Sequence, residues 1–260
     1  MARGTDWGAQ RVIVTAGASG IGREIAAAFH GLGARVWVCD IDAPALAATA
    51  AALPGLGSAL CDVADPAACD GFVAAATAAM GGLDILVNNA GIAGPAAPVQ
   101  DIATEDWQRT FAINVHGQFY MARAAIPYLR RTGAGSIVCM ASVAGKYAFP
   151  LRSPYAASKA AVIALARSLS VELGPHRIRV NAIAPGVVAG DRIRRVFEAR
   201  ARTRGITPDE MQAIALRAVS LGTMIEPDEI AELIVYLCSH AGRSITGQVV
   251  SICGGLEYTE

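Results

Sequence analysis

Two spacings of apolar residues alternate along this chain. Short runs rich in β-branched residues occur at 11–15, 34–39, 58–61, 83–87, 135–141, 177–183 and 248–253, with the length and composition of buried strands. Between them lie longer stretches rich in alanine and leucine, which favour helix. These are 23–29, a helix starting near Pro44, 67–80, 104–129, the stretch after Pro154, 191–221 and 226–239. Repeated strand–helix units predict an α/β protein with one doubly wound parallel sheet, helices covering both faces. No linker, repeat or low-complexity tract interrupts the pattern, so residues 1–260 are expected to form a single domain. Ligands of such sheets bind beyond the carboxyl ends of the strands. The glycine-rich run 17–22, Asp40, Asp62, Asn88, Ser142 and Pro185 all fall at such ends.

The first strand runs into Ala16-Gly17-Ala18-Ser19-Gly20-Ile21-Gly22 and then a helix. Strand, glycine turn and helix is the context of a phosphate-binding loop, where the backbone approaches a pyrophosphate and the helix amino end favours negative charge. A tight turn without a ligand has the same local pattern. Asp40 ends the second strand eighteen residues after Gly22, near the spacing of an acid that binds the ribose hydroxyls of NAD. Asp42, nearer the next helix, is the better candidate for its cap.

Tyr155 and Lys159 are four apart in an Ala- and Leu-rich segment, with Pro154 suited to its first turn. Helical spacing puts both on one face. A neighbouring cation favours phenolate, and a tyrosine so tuned can exchange a proton with an alcohol while a cofactor moves the hydride. Ser142 ends the fifth strand, placed to hydrogen-bond the substrate oxygen. A plain surface pair of Tyr and Lys is the competing account, and the rest of the chain weighs against it.

Composition narrows the classes. Hydrophobic residues make up 53% and charged residues 17%, which excludes a disordered chain, and a net charge of zero gives no nucleic-acid footprint. The amino end has no apolar signal core, and no apolar run approaches a membrane span. Six scattered cysteines without a Cys-x-x-Cys are expected to be buried reduced thiols, and four isolated histidines suggest no metal site. A cytoplasmic enzyme is the expectation.

In order and in context, Thr15-Ala-Gly-Ala-Ser-Gly-Ile-Gly22, Asn88-Asn-Ala-Gly91, Asn114, Ser142, Tyr155-x-x-x-Lys159 and Pro185-Gly186 resemble the motifs of the short-chain dehydrogenase/reductase family, over about residues 9–256. The resemblance implies a Rossmann-type sheet and a nicotinamide cofactor. It implies that Tyr155 is the acid/base and that Lys159 lowers its pKa and binds the nicotinamide ribose. Ser142 would orient the substrate oxygen, and Asn114 would hold a water linking Lys159 to solvent. Gly17, Ser19, Gly20, Ile21 and Gly22 would cradle the cofactor, with Asp62 and Val63 at the adenine. Asn89, Ala90 and Gly91 would line it, Pro185 and Gly186 would flank it, and Val188 would reach the carboxamide. Three positions depart from the pattern. Ala16 replaces the first glycine, Gly190 stands where a threonine is common, and Cys253 replaces a common aspartate.

The function expected is hydride transfer between NAD and a secondary alcohol or ketone. The alternatives are an NADPH-dependent carbonyl or 3-oxoacyl reductase, and a catalytically silent cofactor-binding protein. Against the last stand Asn114, Ser142, Tyr155 and Lys159, all present. Resemblance also implies a homo-oligomer, most simply a tetramer, with helices near 104–130 and 154–173 pairing across subunits through Ala156, Ala160, Ala161 and Ala164. Burial of these alanines within one subunit is the alternative. Relatives carry a lid after the sixth strand, here at about 190–221. Its segment Asp191–Arg204 holds Arg192, Arg194, Arg195, Arg200, Arg202 and Arg204. On a helix, Ile193, Val196, Phe197 and Ala201 form an apolar stripe, and Arg200 and Arg204 fall inside it. Either their stems snorkel to water, or one of them reaches the cleft and binds an anionic substrate group.

Overall fold

A computed structural model describes residues 4–256. Seven strands form one sheet: β1 (Arg11–Thr15), β2 (Arg35–Asp40), β3 (Gly57–Leu60), β4 (Ile85–Asn88), β5 (Ser136–Met140), β6 (Arg179–Pro185) and β7 (Val249–Ile252). Their order is β3-β2-β1-β4-β5-β6-β7, and every pairing is parallel. The order reverses between β1 and β4, and a crevice opens at such a switch point.

Helices α1 (Gly20–Gly31), α2 (Ala43–Ala52) and α9 (Pro227–Cys238) cover one face, while α3 (Pro66–Met80), α5 (Gly117–Thr132) and α6 (Ser153–Leu173) cover the other. Strand pleating divides the core between these layers. Val12 and Val14 pack with Phe29 and Ile234, whereas Ile13 packs with Phe72, Met121 and Val162. Burial on both faces is why these strands are continuously apolar in the sequence. Asp42 caps α2 by accepting a hydrogen bond from Ala45 N at 3.0 Å, and Asp65 caps α3. Pro154 lies in the first turn of α6. Among the described residues, no helix is long and apolar enough to cross a membrane, and all six cysteines are free, five of them buried.

Two helical stretches differ from the sequence expectation. The one at 104–129 is α4 (Thr104–Phe111) and α5 joined by a π-helical turn, Ala112–His116, with Asn114 buried at its centre. The stretch at 191–221 breaks into α7 (Asp191–Arg204) and α8 (Pro208–Leu216). Gly205 ends α7 in the left-handed region at φ 67°, and a Thr207/Glu210 capping box starts α8.

Candidate active site

The turn from β1 into α1 is shaped by close approach. A Cβ on Gly22 would lie 2.0 Å from the Ala16 carbonyl oxygen, and Gly17 lies against Val38. A Cβ on Gly20, by contrast, would meet nothing within 4 Å, so the loop surface there is open. Ser19 occupies the N-cap of α1 without a side-chain capping bond. The first N–H groups of a helix have no intrahelical partner, so those of α1 face the opening as donors, with exposed Ser19 and half-buried Ile21 at its edge. The loop is tied to the end of β4. Thr15 Oγ1 accepts from Asn89 N and from Ala90 N, each at 2.9 Å, and Asn89 Nδ2 donates to the carbonyls of Thr15 and Ala16. Ala16 takes the left-handed conformation a glycine would favour, at φ 50°. This cradle fits a dinucleotide diphosphate.

Asp40 ends β2 beside this loop. Its Oδ2 accepts from Ala18 N at 3.2 Å, and its Oδ1 accepts from Ile41 N and Asp42 N. A carboxylate has about four acceptor sites, so one remains for a ribose hydroxyl. Arg35 sits at the opposite end of β2 and donates to Met80 O at 2.8 Å. Beyond β3, Asp62 is exposed, its Oδ1 accepting from Ala64 N, and Val63 is buried.

On the other side of the crevice, α6 presents Tyr155 and Lys159. Lys159 is 3% exposed, its Nζ donates to Met140 O at 2.7 Å, and it lies 5.7 Å from the centre of the Tyr155 ring. Burial, followed by the charge of Arg192, pulls its pKa down to about 7, while Cys139 acts in the opposite direction. Arg152 stacks over the Tyr155 ring at 5.5 Å. Ser142 Oγ accepts from Ala144 N at 3.2 Å, which leaves its own proton free to donate. The π-helical turn aims Asn114 into the site. Its Oδ1 accepts from Ile92 N at 2.8 Å, and its Nδ2 donates to Ile92 O and Ser158 Oγ. Such turns recur at functional sites, and the one here had no signature in the sequence. A Cβ on Gly91 would stand 3.2 Å from both Asn114 Oδ1 and Lys159 Nζ, so glycine keeps that gap open.

After Pro185, Gly186 packs against Cys253, where a Cβ would meet the Cys253 Cα at 2.8 Å. Val188 forms a lone parallel bridge with Ile225. Gly190, at φ 128°, begins α7. That helix seats itself through Phe197 and Ala201, with Ile193 packed alongside and Met211 of α8 beneath. Arg200 and Arg204, expected on this packed face, are exposed instead. Arg200 lies one residue, or about 100°, from Ala201, and Arg204 is the last residue of α7, where the helix ends at Gly205. The arginine that bonds to the loop after β4 is Arg192, also exposed, whose Nη2 donates to Gly91 O at 2.9 Å. Sequence reasoning did not single it out. Its position two residues after Gly190, in the turn of α7 nearest the strand ends, was the available signal.

This geometry has close counterparts. A family model described as enoyl-(acyl carrier protein) reductase matches residues 15–257. Galactitol 2-dehydrogenase from Agrobacterium fabrum is 39% identical over 245 residues, covering 94% of this chain and 95% of that protein. The chain belongs to the short-chain dehydrogenase/reductase family. Solved structures agree with this short-chain dehydrogenase/reductase assignment. NAD+-bound xylitol dehydrogenase superposes with a TM-score of 0.91 at 30% identity, covering 95% of this chain and 98% of that one. Actinorhodin polyketide ketoreductase with NADPH gives 0.92 at 31% identity, covering 97% and 98%. As a member of the short-chain dehydrogenase/reductase family, the protein is a nicotinamide-dependent oxidoreductase of secondary alcohols and their ketones.

Proposed function

We propose that this short-chain dehydrogenase/reductase uses NAD in preference to NADP. The observation that carries the preference is Asp40, which ends β2 with its carboxylate on the glycine loop at Ala18 N. One acceptor site is left for a ribose hydroxyl, and a 2′-phosphate there would meet negative charge. Ser19 and Ile41, both exposed beside it, offer no cation to offset that repulsion. The whole chain acts as one catalytic unit. Gly17, Ser19, Gly20, Ile21 and Gly22 receive the diphosphate, Asp62 and Val63 flank the adenine, and Asn89, Ala90 and Gly91 line the middle of the cofactor. Pro185, Gly186 and Val188 border the nicotinamide. Gly190 has no side chain to offer its carboxamide.

A nicotinamide held by these residues would supply the hydride chemistry, as acceptor from the carbinol carbon in oxidation and donor in reduction. The protein's part is proton transfer and placement. Tyr155 takes the hydroxyl proton of the substrate in oxidation and gives it back in reduction. Lys159 in its ammonium form stands 5.7 Å from the centre of the Tyr155 ring and places positive charge beside the reacting group. It also keeps two further N–H groups beyond the bond to Met140 O. Ser142 donates its free proton to the substrate oxygen. Asn114 fixes the Gly91-Ile92 backbone, and the gap at Gly91 leaves room for a water between Asn114 Oδ1 and Lys159 Nζ.

The test compares kcat/KM for NAD and NADP across secondary alcohols, polyols and hydroxy acids. NAD is expected to be favoured by tenfold or more, roughly the effect of one charged hydrogen-bonding contact. A preference for NADP would mean that Asp40 does not face the ribose, and would favour the carbonyl reductase reading.

A further inference from the structure

Arg192, though exposed, ties the first turn of α7 to the loop that follows β4. Its guanidinium donates to Gly91 O at 2.9 Å, and the Gly91 position adjoins both Asn114 Oδ1 and Lys159 Nζ. Two cations therefore converge on one end of the crevice, and the cation–cation interaction registers at Lys159. Among the described residues the ion pairs are Arg11–Asp84, Arg123–Asp70 and Arg194–Asp191, so no carboxylate compensates Arg192. Its own neighbour Asp191 is turned to Arg194 instead. The bond to Gly91 uses one of five guanidinium N–H groups, leaving a planar fork suited to a carboxylate. The diphosphate already has donors in the amino end of α1, and no hydrogen bond joins Arg192 to that loop. All six arginines of α7 are exposed, and what sets Arg192 apart is its bond to Gly91 O beside Lys159 and Asn114.

Resting on the oxidoreductase reading above, we propose that Arg192 is a specificity residue. It binds an anionic group of the substrate, so that the preferred class is hydroxy acids and their oxo-acid products. The substrate carboxylate replaces Gly91 O as partner of the guanidinium and supplies the counter-charge that the site lacks.

Matched pairs test this: 3-hydroxybutyrate against methyl 3-hydroxybutyrate, and lactate against methyl lactate, each with NAD. The wild-type enzyme is expected to favour at least one acid over its ester. In Arg192→Gln that acid-over-ester ratio should fall roughly tenfold to hundredfold, the range for a lost charge-assisted contact. The loss should appear in KM for the acid more than in kcat. Arg192→Lys should recover part of the ratio, and Arg195→Gln should keep it. Three outcomes overturn the proposal. They are use of every acid no better than its ester, an equal loss of acid and ester in the variant, as expected of a mere lid latch, and a loss confined to KM for NAD, as expected of a diphosphate ligand. Oxidation of neutral polyols in the first case would leave the oxidoreductase reading standing while removing the acid preference. Absence of turnover with any alcohol would remove both.

Discussion

Lys159 is a buried amine whose pKa lies near 7, against an ordinary value of 10.5. Between these values the unfolded chain holds a proton that the folded apoprotein has lost, so stability rises with pH across that window. From pH 7 to 9 the gain is about 2 kcal/mol. Burial raises the thiols of Cys139 to about 12 and Cys238 to about 11 from 9.0, which acts in the opposite direction above about pH 9. The comparison is therefore urea unfolding of the apoprotein at pH 7 and 9 with that of Lys159→Met. The variant should lose the rise, and an equal rise in both would place the lysine in water. Ala16 offers a second test. Its φ of 50° strains a Cβ, so Ala16→Gly should stabilise the protein by about 0.5–1 kcal/mol, net of the greater freedom of glycine in the unfolded chain. A lowered urea midpoint would show that the loop needs the alanine. The placement of Tyr155, Lys159, Ser142 and Asp40 was legible in the sequence because each is fixed by a local signal: helical spacing or a strand end. Arg192 was not, because the role proposed for it depends on how α7 meets the loop after β4.

The lid shows where pattern reading stops at the scale of elements. Its apolar stripe was visible, and Phe197 and Ala201 are indeed buried at 4% and 1%. The break after Arg204 and the narrowness of the seated face were not visible, and they put Arg200 and Arg204 in solvent. The π-helical turn at Asn114 is likewise silent in composition, since it comes from one residue's worth of extra backbone within an ordinary helical pattern. Gly190 has a definite consequence. At φ 128° and ψ −177° it occupies a region essentially confined to glycine. Gly190→Thr, which installs the residue common in relatives, should therefore destabilise by about 1–3 kcal/mol and weaken turnover by displacing α7. A thermal midpoint equal to wild type, with turnover improved, would show that the lid entry tolerates a side chain.

For the whole molecule, the alternation of strands and helices carried the sheet, its parallel sense and the carboxyl-end site, because a doubly covered sheet leaves little freedom of topology. The oligomer is a matter of surfaces. Ala160 and Ala164 on α6 are exposed, as are Phe119 on α5 at 46% and Val171 at 78%. Small residues flanked by exposed apolar ones suit helix pairing between subunits, and we expect a tetramer in sedimentation at micromolar concentration. A monomer boundary would contradict it. The sheet also separates the two tasks proposed, with the cofactor cradle assigned to β1, β2 and β4 and proton transfer assigned to α6 beyond β5. The most direct measurement is Tyr155→Phe, assayed for turnover on a substrate verified with the wild-type enzyme and titrated in parallel with NADH by fluorescence. Turnover should fall by three orders of magnitude or more, consistent with loss of a proton-transfer group, while the affinity for NADH changes less than about threefold. Substantial turnover in this variant would contradict the assignment of proton transfer to Tyr155.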